Sequence, residues 1–153
     1  MKDLLVMKFG GTSMGSAERM RVAAAIIAAE SRRRPVLVVV SAMSKVTDQL
    51  LDTLRHAEAG DETGMEAGLR KLRDRHLDTC RELLPAGGQE QAMTAIEALL
   101  ADFQRIVQGV RMLGERPPRS VDEAVAAGER LSALLMAAFL ETLGVRAEAV
   151  NAA

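Results

Sequence analysis

Tryptophan and tyrosine are absent from this chain of 153 residues, in which aromatic residues make up only 2%. The chain therefore lacks the large aromatic side chains on which proteins stack the bases of single-stranded nucleic acids. Its 20 basic and 21 acidic residues give a formal net charge of −1, which provides no general attraction to polyanions. Together, these features argue against a nucleic-acid-binding protein.

Cysteine and histidine are also scarce. Cys80 is the only cysteine, so an internal disulfide is excluded, and we expect its side chain to be packed and unreactive. His56 and His76 are too few and too scattered to form a metal site with Cys80, and we expect His76 to be structural or half-exposed. The sequence thus predicts no metal ligands.

Long apolar runs are missing as well. No stretch approaches the ~18–20 apolar residues that a membrane-spanning helix needs. The N-terminal segment carries Asp3 and Lys8, unlike the apolar core of a signal peptide. We therefore expect a cytoplasmic protein that does not associate with membranes.

The most informative segment is Lys8–Ser13, which reads Lys-Phe-Gly-Gly-Thr-Ser and follows the apolar run Leu4–Met7. Glycines let the backbone approach an anion closely, because they carry no Cβ. Turn amides with a helix behind them form an anion site, and a lysine adds a positive charge that can reach a phosphoryl group. The segment is neither a Walker A loop nor a dinucleotide fingerprint. It favours phosphoryl transfer, while an ordinary strand-to-helix turn without a ligand is the alternative.

The N-terminal third predicts a strand–helix–strand unit. Leu4–Phe9 is expected to form a buried strand, and Ser16 can cap the following helix. The β-branched run Val36–Val40 is typical of a parallel strand that is covered on both faces. Because the carboxyl ends of neighbouring parallel strands meet at one edge, Gly10 and Ser41 should lie close together there.

The rest of the chain is predicted to be mainly helical. Helices are expected over Val46–Ala59, over Met65–Leu84 and around Met93–Val110, and the last two should form an antiparallel hairpin packed on the sheet. This middle region offers no catalytic chemistry of its own.

Closer to the C-terminus, Ser120 and Glu123 resemble a capping box that begins a short helix. Gly128 is expected to break this helix, so that Glu129–Leu143 forms another one with Glu129 in its first turn. Arg146–Val150 can form a third strand. With no internal repeat or linker, residues 1–153 are predicted to form one α/β domain.

Two further segments accompany Lys8–Ser13 in a fixed order: Val36–Asp48, and Ala127–Ala133 with the pattern Gly-Glu-x-x-Ser at Gly128–Ser132. The ordered set resembles the N-terminal half of the catalytic domain of the aspartate kinases, in the amino acid kinase family. The resemblance implies a three-layer αβα sandwich with a mainly parallel sheet, of which residues 1–153 would be the half that carries the substrate and phosphate loops.

The resemblance also implies a role for Lys8 and the glycine turn. Lys8 corresponds to the catalytic lysine that contacts the ATP phosphates and stabilises the transition state. Gly10, Gly11 and Thr12 would bind the phosphates with it.

Three other residues would bind the amino-acid substrate. Ser41 and Thr47 fit the pattern Ser-Ala-x-x-x-x-Thr, whose hydroxyls help to seat the substrate, and Glu129 would contact its α-ammonium group. From the residues alone, Thr47 can equally be a helix cap and Glu129 an exposed glutamate in a first helical turn.

The implied reaction is the ATP-dependent phosphorylation of the L-aspartate side chain to 4-phospho-L-aspartate, the first step of lysine, threonine and methionine biosynthesis. The implied partners are L-aspartate and ATP with Mg²⁺.

The family's Gly-Arg-Gly-Gly-Ser-Asp-like and Thr-Asp-Val-x-Gly-like segments are absent from residues 1–153. We therefore expect the magnesium ligands to lie outside this chain and the chain alone to be inactive. It would form a homo-oligomer or associate with the missing C-terminal half. The alternatives are a non-catalytic fragment or assembly subunit, or a kinase of another small amino acid or carbamate.

Overall fold

The computed structural model describes residues 3–151, which form two strands and five long helices. In chain order these are β1 (Leu5–Phe9), α1 (Ala17–Ser31), β2 (Val36–Val40), α2 (Val46–Glu58), α3 (Glu62–Leu83), α4 (Ala86–Leu113) and α5 (Pro118–Thr142). The two strands are parallel neighbours, and their register runs from Leu5 opposite Val36 to Phe9 opposite Val40. The predicted strand–helix–strand unit and the α/β class are confirmed.

The two faces of the sheet differ in burial. One face packs against the helical core through the side chains of Met7, Phe9, Val38 and Val40. On the other face Val6, Leu37 and Val39 are 58%, 51% and 47% exposed. The expectations that Leu4–Phe9 is a buried strand and that β2 is covered on both faces are therefore wrong for residues 3–151. The apolar run reports the hydrophobicity of both faces, but the helices in this part of the chain pack on only one.

Helix α1 begins where the sequence predicts. The Ser16 hydroxyl accepts a hydrogen bond from the Arg19 amide at 3.3 Å, which satisfies one of the free donors of the first turn. Small and apolar side chains then recur on one side of the helix and are buried: Ala17, Met20, Ala23, Ala24, Ile27 and Ala28. This apolar stripe holds α1 against the core.

Helices α3 and α4 pack together, as predicted for the hairpin, but their other main contacts are with helices. Helix α3 packs on α2 and α1, and α4 packs on α2 and α5. The helices in close contact with β2 are α1 and α5. The hairpin therefore does not lie on the sheet. The apolar stripes of α3 and α4 are buried against other helices. Helical periodicity predicts that such a stripe is buried, but it does not predict which element covers it.

Helix α5 is one continuous helix, so the predicted capping box at Ser120 and Glu123 and the break at Gly128 are wrong. The helix begins after Pro117, with Pro118 in its first turn. Proline fits this position because its fixed φ matches the helix and its missing N–H would have no helical partner. Consequently, Glu129 lies in the middle of a helix and not in a first turn.

The segment 145–151 is not a strand, which corrects the prediction for Arg146–Val150. Gly144, with φ of 76°, ends α5, and the Val145 amide donates to the Leu140 carbonyl at 3.0 Å. The segment then runs along a cavity of about 740 Å³ that separates it from β2. Alternating apolar residues favour a strand, but a strand must also lie next to another one to pair with it. Here the cavity lies between the segment and β2.

None of the helices within residues 3–151 combines the length and apolar character needed to cross a bilayer.

Two buried residues of α3, His76 and Cys80, have titratable side chains. Cys80 is fully buried, as predicted, and burial raises the pKa of its thiol. His76 is also fully buried and not half-exposed; its Nδ1 lies 2.6 Å from the Leu72 carbonyl oxygen, and its Nε2 has no hydrogen-bond partner among the described residues. Burial lowers the pKa of His76, because a charged imidazolium would lose its hydration.

We predict that His76 makes the fold sensitive to mild acid. In the unfolded chain its imidazole takes up a proton near its ordinary pKa of about 6.5, whereas the folded chain resists protonation. The free energy of unfolding should therefore fall as the pH drops below about 6.5. Urea unfolding at pH 7.5 and 5.5 tests this. His76→Leu should show a smaller loss between these pH values than the wild type, and equal losses would contradict the prediction.

Candidate phosphate and substrate site

The glycine turn follows β1 directly and carries an ammonium group above it. A Cβ built on Gly10 would lie 3.7 Å from Lys8 Nζ. The Met14 amide donates to the Gly10 carbonyl at 3.1 Å and thereby closes the turn. The amides of Gly10, Gly11 and Thr12 have no hydrogen-bond partner among residues 3–151. The turn thus presents free N–H donors beside a cation, which is the arrangement that holds phosphate oxygens.

The loop after β2 lies against this turn. The Ser41 amide donates to the Phe9 carbonyl at 3.0 Å, so the carboxyl ends of the two strands are joined where the sequence predicts. A Cβ built on Gly11 would lie 3.2 Å from the Ala42 carbonyl oxygen and 3.9 Å from Ser44 Cα. Glycine at position 11 is therefore explained by the close approach of two backbone segments.

Helix α2 begins at Val46 with an unusual residue before it. Lys45 is the N-cap, has φ of 64° and makes no side-chain capping bond. Because the helix begins at Val46, Thr47 lies within its first turn, and the alternative of Thr47 as a helix cap is wrong. The Val46 amide donates to the Met43 carbonyl at 2.9 Å, whereas the amides of Thr47 and Asp48 and the Thr47 hydroxyl have no partner among the described residues. They are available to a carboxylate.

Helix α5 approaches the same loop at Gly128. A Cβ built on Gly128 would lie 2.9 Å from Ala42 Cβ and 3.1 Å from side-chain atoms of both Leu50 and Val46. Glycine inside this helix thus permits close packing on α2 and the loop. The next residue, Glu129, is exposed and lines the 740 Å³ cavity. It lies in the middle of α5 and not in its first turn.

Ala42 is the point at which the three motif segments meet. Its carbonyl oxygen faces Gly11 of the glycine turn, and its methyl group faces Gly128 of α5. We call this contact the Ala42 junction. It brings Lys8–Ser13, Ser41–Thr47 and Gly128–Glu129 together, although more than 80 residues separate the second segment from the third along the chain.

The charges at this site are not paired, in contrast to their neighbours. Lys8, Lys45 and Glu129 make no ion pair or side-chain hydrogen bond among residues 3–151. Arg130, by contrast, donates to Glu123 Oε1 at 2.6 Å and to Asn151 Oδ1 at 3.1 Å. These contacts with Arg130 lower the pKa of the Glu123 carboxyl. Arg130 is thus engaged beside the site, and two cations and one carboxylate remain available to a ligand.

Ser132, the last residue of the third motif, does not face an open site. It is fully buried in α5, and its hydroxyl has no hydrogen-bond partner among the described residues. Its burial one turn after Gly128 indicates that it belongs to the packed side of the helix.

The family model described as the amino acid kinase family matches residues 3–153. The chain belongs to the amino acid kinase family. It is 37% identical to the chloroplastic aspartokinase 2 of Arabidopsis thaliana over 96% of this chain and 26% of that protein. It is 31% identical to the chloroplastic bifunctional aspartokinase/homoserine dehydrogenase 1 of Zea mays over 91% of this chain and 15% of that protein. The chain therefore spans about a quarter or less of the length of these relatives.

Solved structures of Escherichia coli aspartokinase III are also similar. The complex with aspartate and ADP matches with a TM-score of 0.79 and 26% identity, over 94% of this chain and 30% of that chain. The complex with lysine and aspartate matches with a TM-score of 0.78 and 27% identity, over 93% and 30%. The amino acid kinase-like fold expected from the sequence is confirmed, and the described residues supply two parallel strands and a helical layer.

Sequence reasoning did not single out Ala42 or Lys45. A small residue after Ser41 can reveal a close contact only when its two glycine partners are known. Lysine is not a residue that predicts positive φ, so nothing in the sequence indicates the left-handed backbone at position 45.

We predict that Gly128→Ala disrupts the Ala42 junction. The added methyl group would crowd Ala42, and overpacking of this kind costs about 1–3 kcal/mol in the free energy of unfolding. Gly109→Ala in α4 is the matched control, because a Cβ there meets nothing within 4 Å. It should stabilise the protein by about 0.5–1 kcal/mol. Chemical denaturation measures both changes, and equal effects of the two substitutions would contradict this account of Gly128.

Proposed function

We propose that residues 1–153 form the N-terminal part of the catalytic domain of an aspartate kinase. The whole enzyme would transfer the γ-phosphoryl group of ATP to the side-chain carboxylate of L-aspartate in the cytoplasm, at the start of lysine, threonine and methionine biosynthesis. The observation that carries this proposal is the Ala42 junction, which gathers a phosphate-type turn and groups suited to an amino acid. Membership of the amino acid kinase family and similarity to aspartokinases support it.

Lys8 and the glycine turn would act on the phosphoryl group. Phosphoryl transfer depends mainly on positioning and on stabilising charge over the phosphoryl oxygens. The unpaired Lys8 ammonium lies over Gly10, and the free amides of Gly10, Gly11 and Thr12 lie beside it. These groups would hold the oxygens and neutralise the charge that develops during transfer.

The substrate would be held by groups of complementary charge on the other two segments. The hydroxyls of Ser41 and Thr47 and the free amides of Thr47 and Asp48 are suited to a carboxylate, since hydroxyls and helical N–H groups donate hydrogen bonds to it. Glu129 is exposed and unpaired, and it would bind the α-ammonium group. This division explains how one small site can recognise a zwitterion with an additional carboxylate.

Magnesium and most of the nucleotide contacts would come from residues outside this chain. Within residues 3–151 there is no group of three or more histidine, cysteine, aspartate or glutamate side chains that could hold a metal ion. Residues 1–153 by themselves should show no turnover, and the active protein would pair them with the nucleotide-binding half, as a homo-oligomer or within one assembly.

We predict that Lys8→Ala in the complete gene product abolishes most of the turnover. Removing a transition-state charge contact typically lowers kcat by about 10²–10³-fold. A coupled assay of aspartate-dependent ADP release measures this, and Lys71→Ala on the exposed side of α3 is the control that should retain activity.

Retention of wild-type kcat by Lys8→Ala would contradict the role of Lys8. Turnover of the wild type with another amino acid or carbamate, and not with aspartate, would show that aspartate is not the substrate. No turnover with any of these acceptors would favour a non-catalytic subunit.

We predict that Glu129→Gln raises the KM for aspartate more than it lowers kcat. Loss of a charged partner for the ammonium group costs about 1.5–3 kcal/mol, which corresponds to a rise in KM of roughly 10–100-fold. Glu141→Gln is the matched control, since Glu141 is exposed on the same helix but lies near its C-terminal end. Initial rates against aspartate concentration distinguish the two, and an unchanged KM for Glu129→Gln would exclude the ammonium contact.

A further inference from the structure

Lys45 has a backbone conformation that lysine seldom adopts. Its φ of 64° and ψ of 2° place it in the left-handed region, and it is the only non-glycine residue within residues 3–151 with positive φ. In this conformation the Cβ of an L-residue crowds the backbone, whereas glycine adopts it freely. Such strained residues cluster at functional sites, where the surrounding structure enforces them.

The strain lies at the edge of the proposed active site. The preceding residue, Ser44, contacts the glycine turn: its Cα lies 3.9 Å from a Cβ built on Gly11, and its own Cβ lies 3.5 Å from one built on Gly15. The following residue, Val46, packs against Gly128 at the Ala42 junction. Lys45 is therefore fixed between two close contacts, at the point where the loop turns into α2.

The Lys45 side chain is not needed for the packing that fixes its backbone. It is exposed, makes no ion pair or hydrogen bond among the described residues, and provides no cap for α2. Glycine would satisfy the backbone with less strain. The feature that lysine adds is a mobile positive charge beside helical amides that are already suited to a carboxylate.

We propose that Lys45 is a specificity-determining residue of this site, whose ammonium group attracts the carboxylates of the acidic amino-acid substrate at the start of α2. This inference rests on the proposed function. Lys8 carries charge toward the phosphoryl group, so Lys45 supplies the second cation, on the side of the acceptor. An acidic substrate then gains affinity over a neutral amino acid of the same size.

Three substitutions separate the charge from the backbone. Lys45→Gly and Lys45→Asn both suit the left-handed conformation and remove the charge, whereas Lys45→Arg keeps the charge. In the complete gene product the first two should raise the KM and the calorimetric Kd for aspartate by roughly tenfold, the effect of one lost charge contact. Their kcat should change by less than about twofold, as expected for uniform binding. Lys45→Arg should remain close to the wild type.

Thermal unfolding provides a second measurement, which tests whether the role of Lys45 is purely structural. Lys45→Gly should raise Tm, because it relieves the strained backbone while it weakens aspartate binding. A raised Tm with unchanged KM and Kd would overturn the inference. Lys71→Asn, an exposed lysine of α3, is the control for the loss of one positive charge and should leave aspartate affinity unchanged.

The same assays distinguish this inference from the proposed function. If Lys8→Ala loses kcat while the neutral Lys45 variants keep the wild-type KM, only the role of Lys45 is refuted. If Lys8→Ala keeps its kcat, the role of Lys8 is refuted; if the wild type neither binds nor turns over aspartate, both proposals fail together. Raising the salt concentration should weaken aspartate binding by the wild type more than by Lys45→Gly, because screening acts on the added charge.

Discussion

The close approach of two glycines to Ala42 is the constraint on which the rest of this site depends. Gly11 reaches the Ala42 carbonyl oxygen and Gly128 reaches its methyl group, at distances that leave no room for a larger side chain. The glycine turn, the loop that leads into α2 and the middle of α5 meet at this contact. Protein interiors transmit such volume constraints, so the geometry of the candidate site depends on this packing.

The parts of the fold that the sequence predicts are those governed by local patterns. The strands, the Ser16 cap and the helices α2 to α4 follow from apolar periodicity and capping chemistry. The errors fall where a distant contact decides the outcome. Gly128 was expected to break a helix because glycine disfavours helices, yet tertiary packing at Ala42 overrides that preference. Arg146–Val150 has strand-like alternation but lies across a cavity from β2.

The candidate site shows the same division between features set by local patterns and features set by distant contacts. Lys8, Gly10 and Ser41 could be placed together from the sequence, because parallel strands bring their carboxyl ends to one edge. The sequence does not predict the mid-helix position of Glu129, because it arises from contacts between segments that are distant in the chain. It does not predict the left-handed backbone of Lys45 either, because lysine disfavours this conformation. The unpaired charges are visible only once neighbouring ion pairs, such as Arg130 with Glu123, are known.

The continuity of α5 has a mechanical consequence. A helix of 25 residues is a rod of roughly 37 Å, and its contact with Ala42 through Gly128 lies near its middle and not at either end. If the rod tilts about this contact, its two ends move in opposite directions. Glu129 directly follows Gly128, where such a tilt gives the smallest displacement. A carboxylate at this position therefore moves less than the ends of α5 when the helix adjusts to its neighbours.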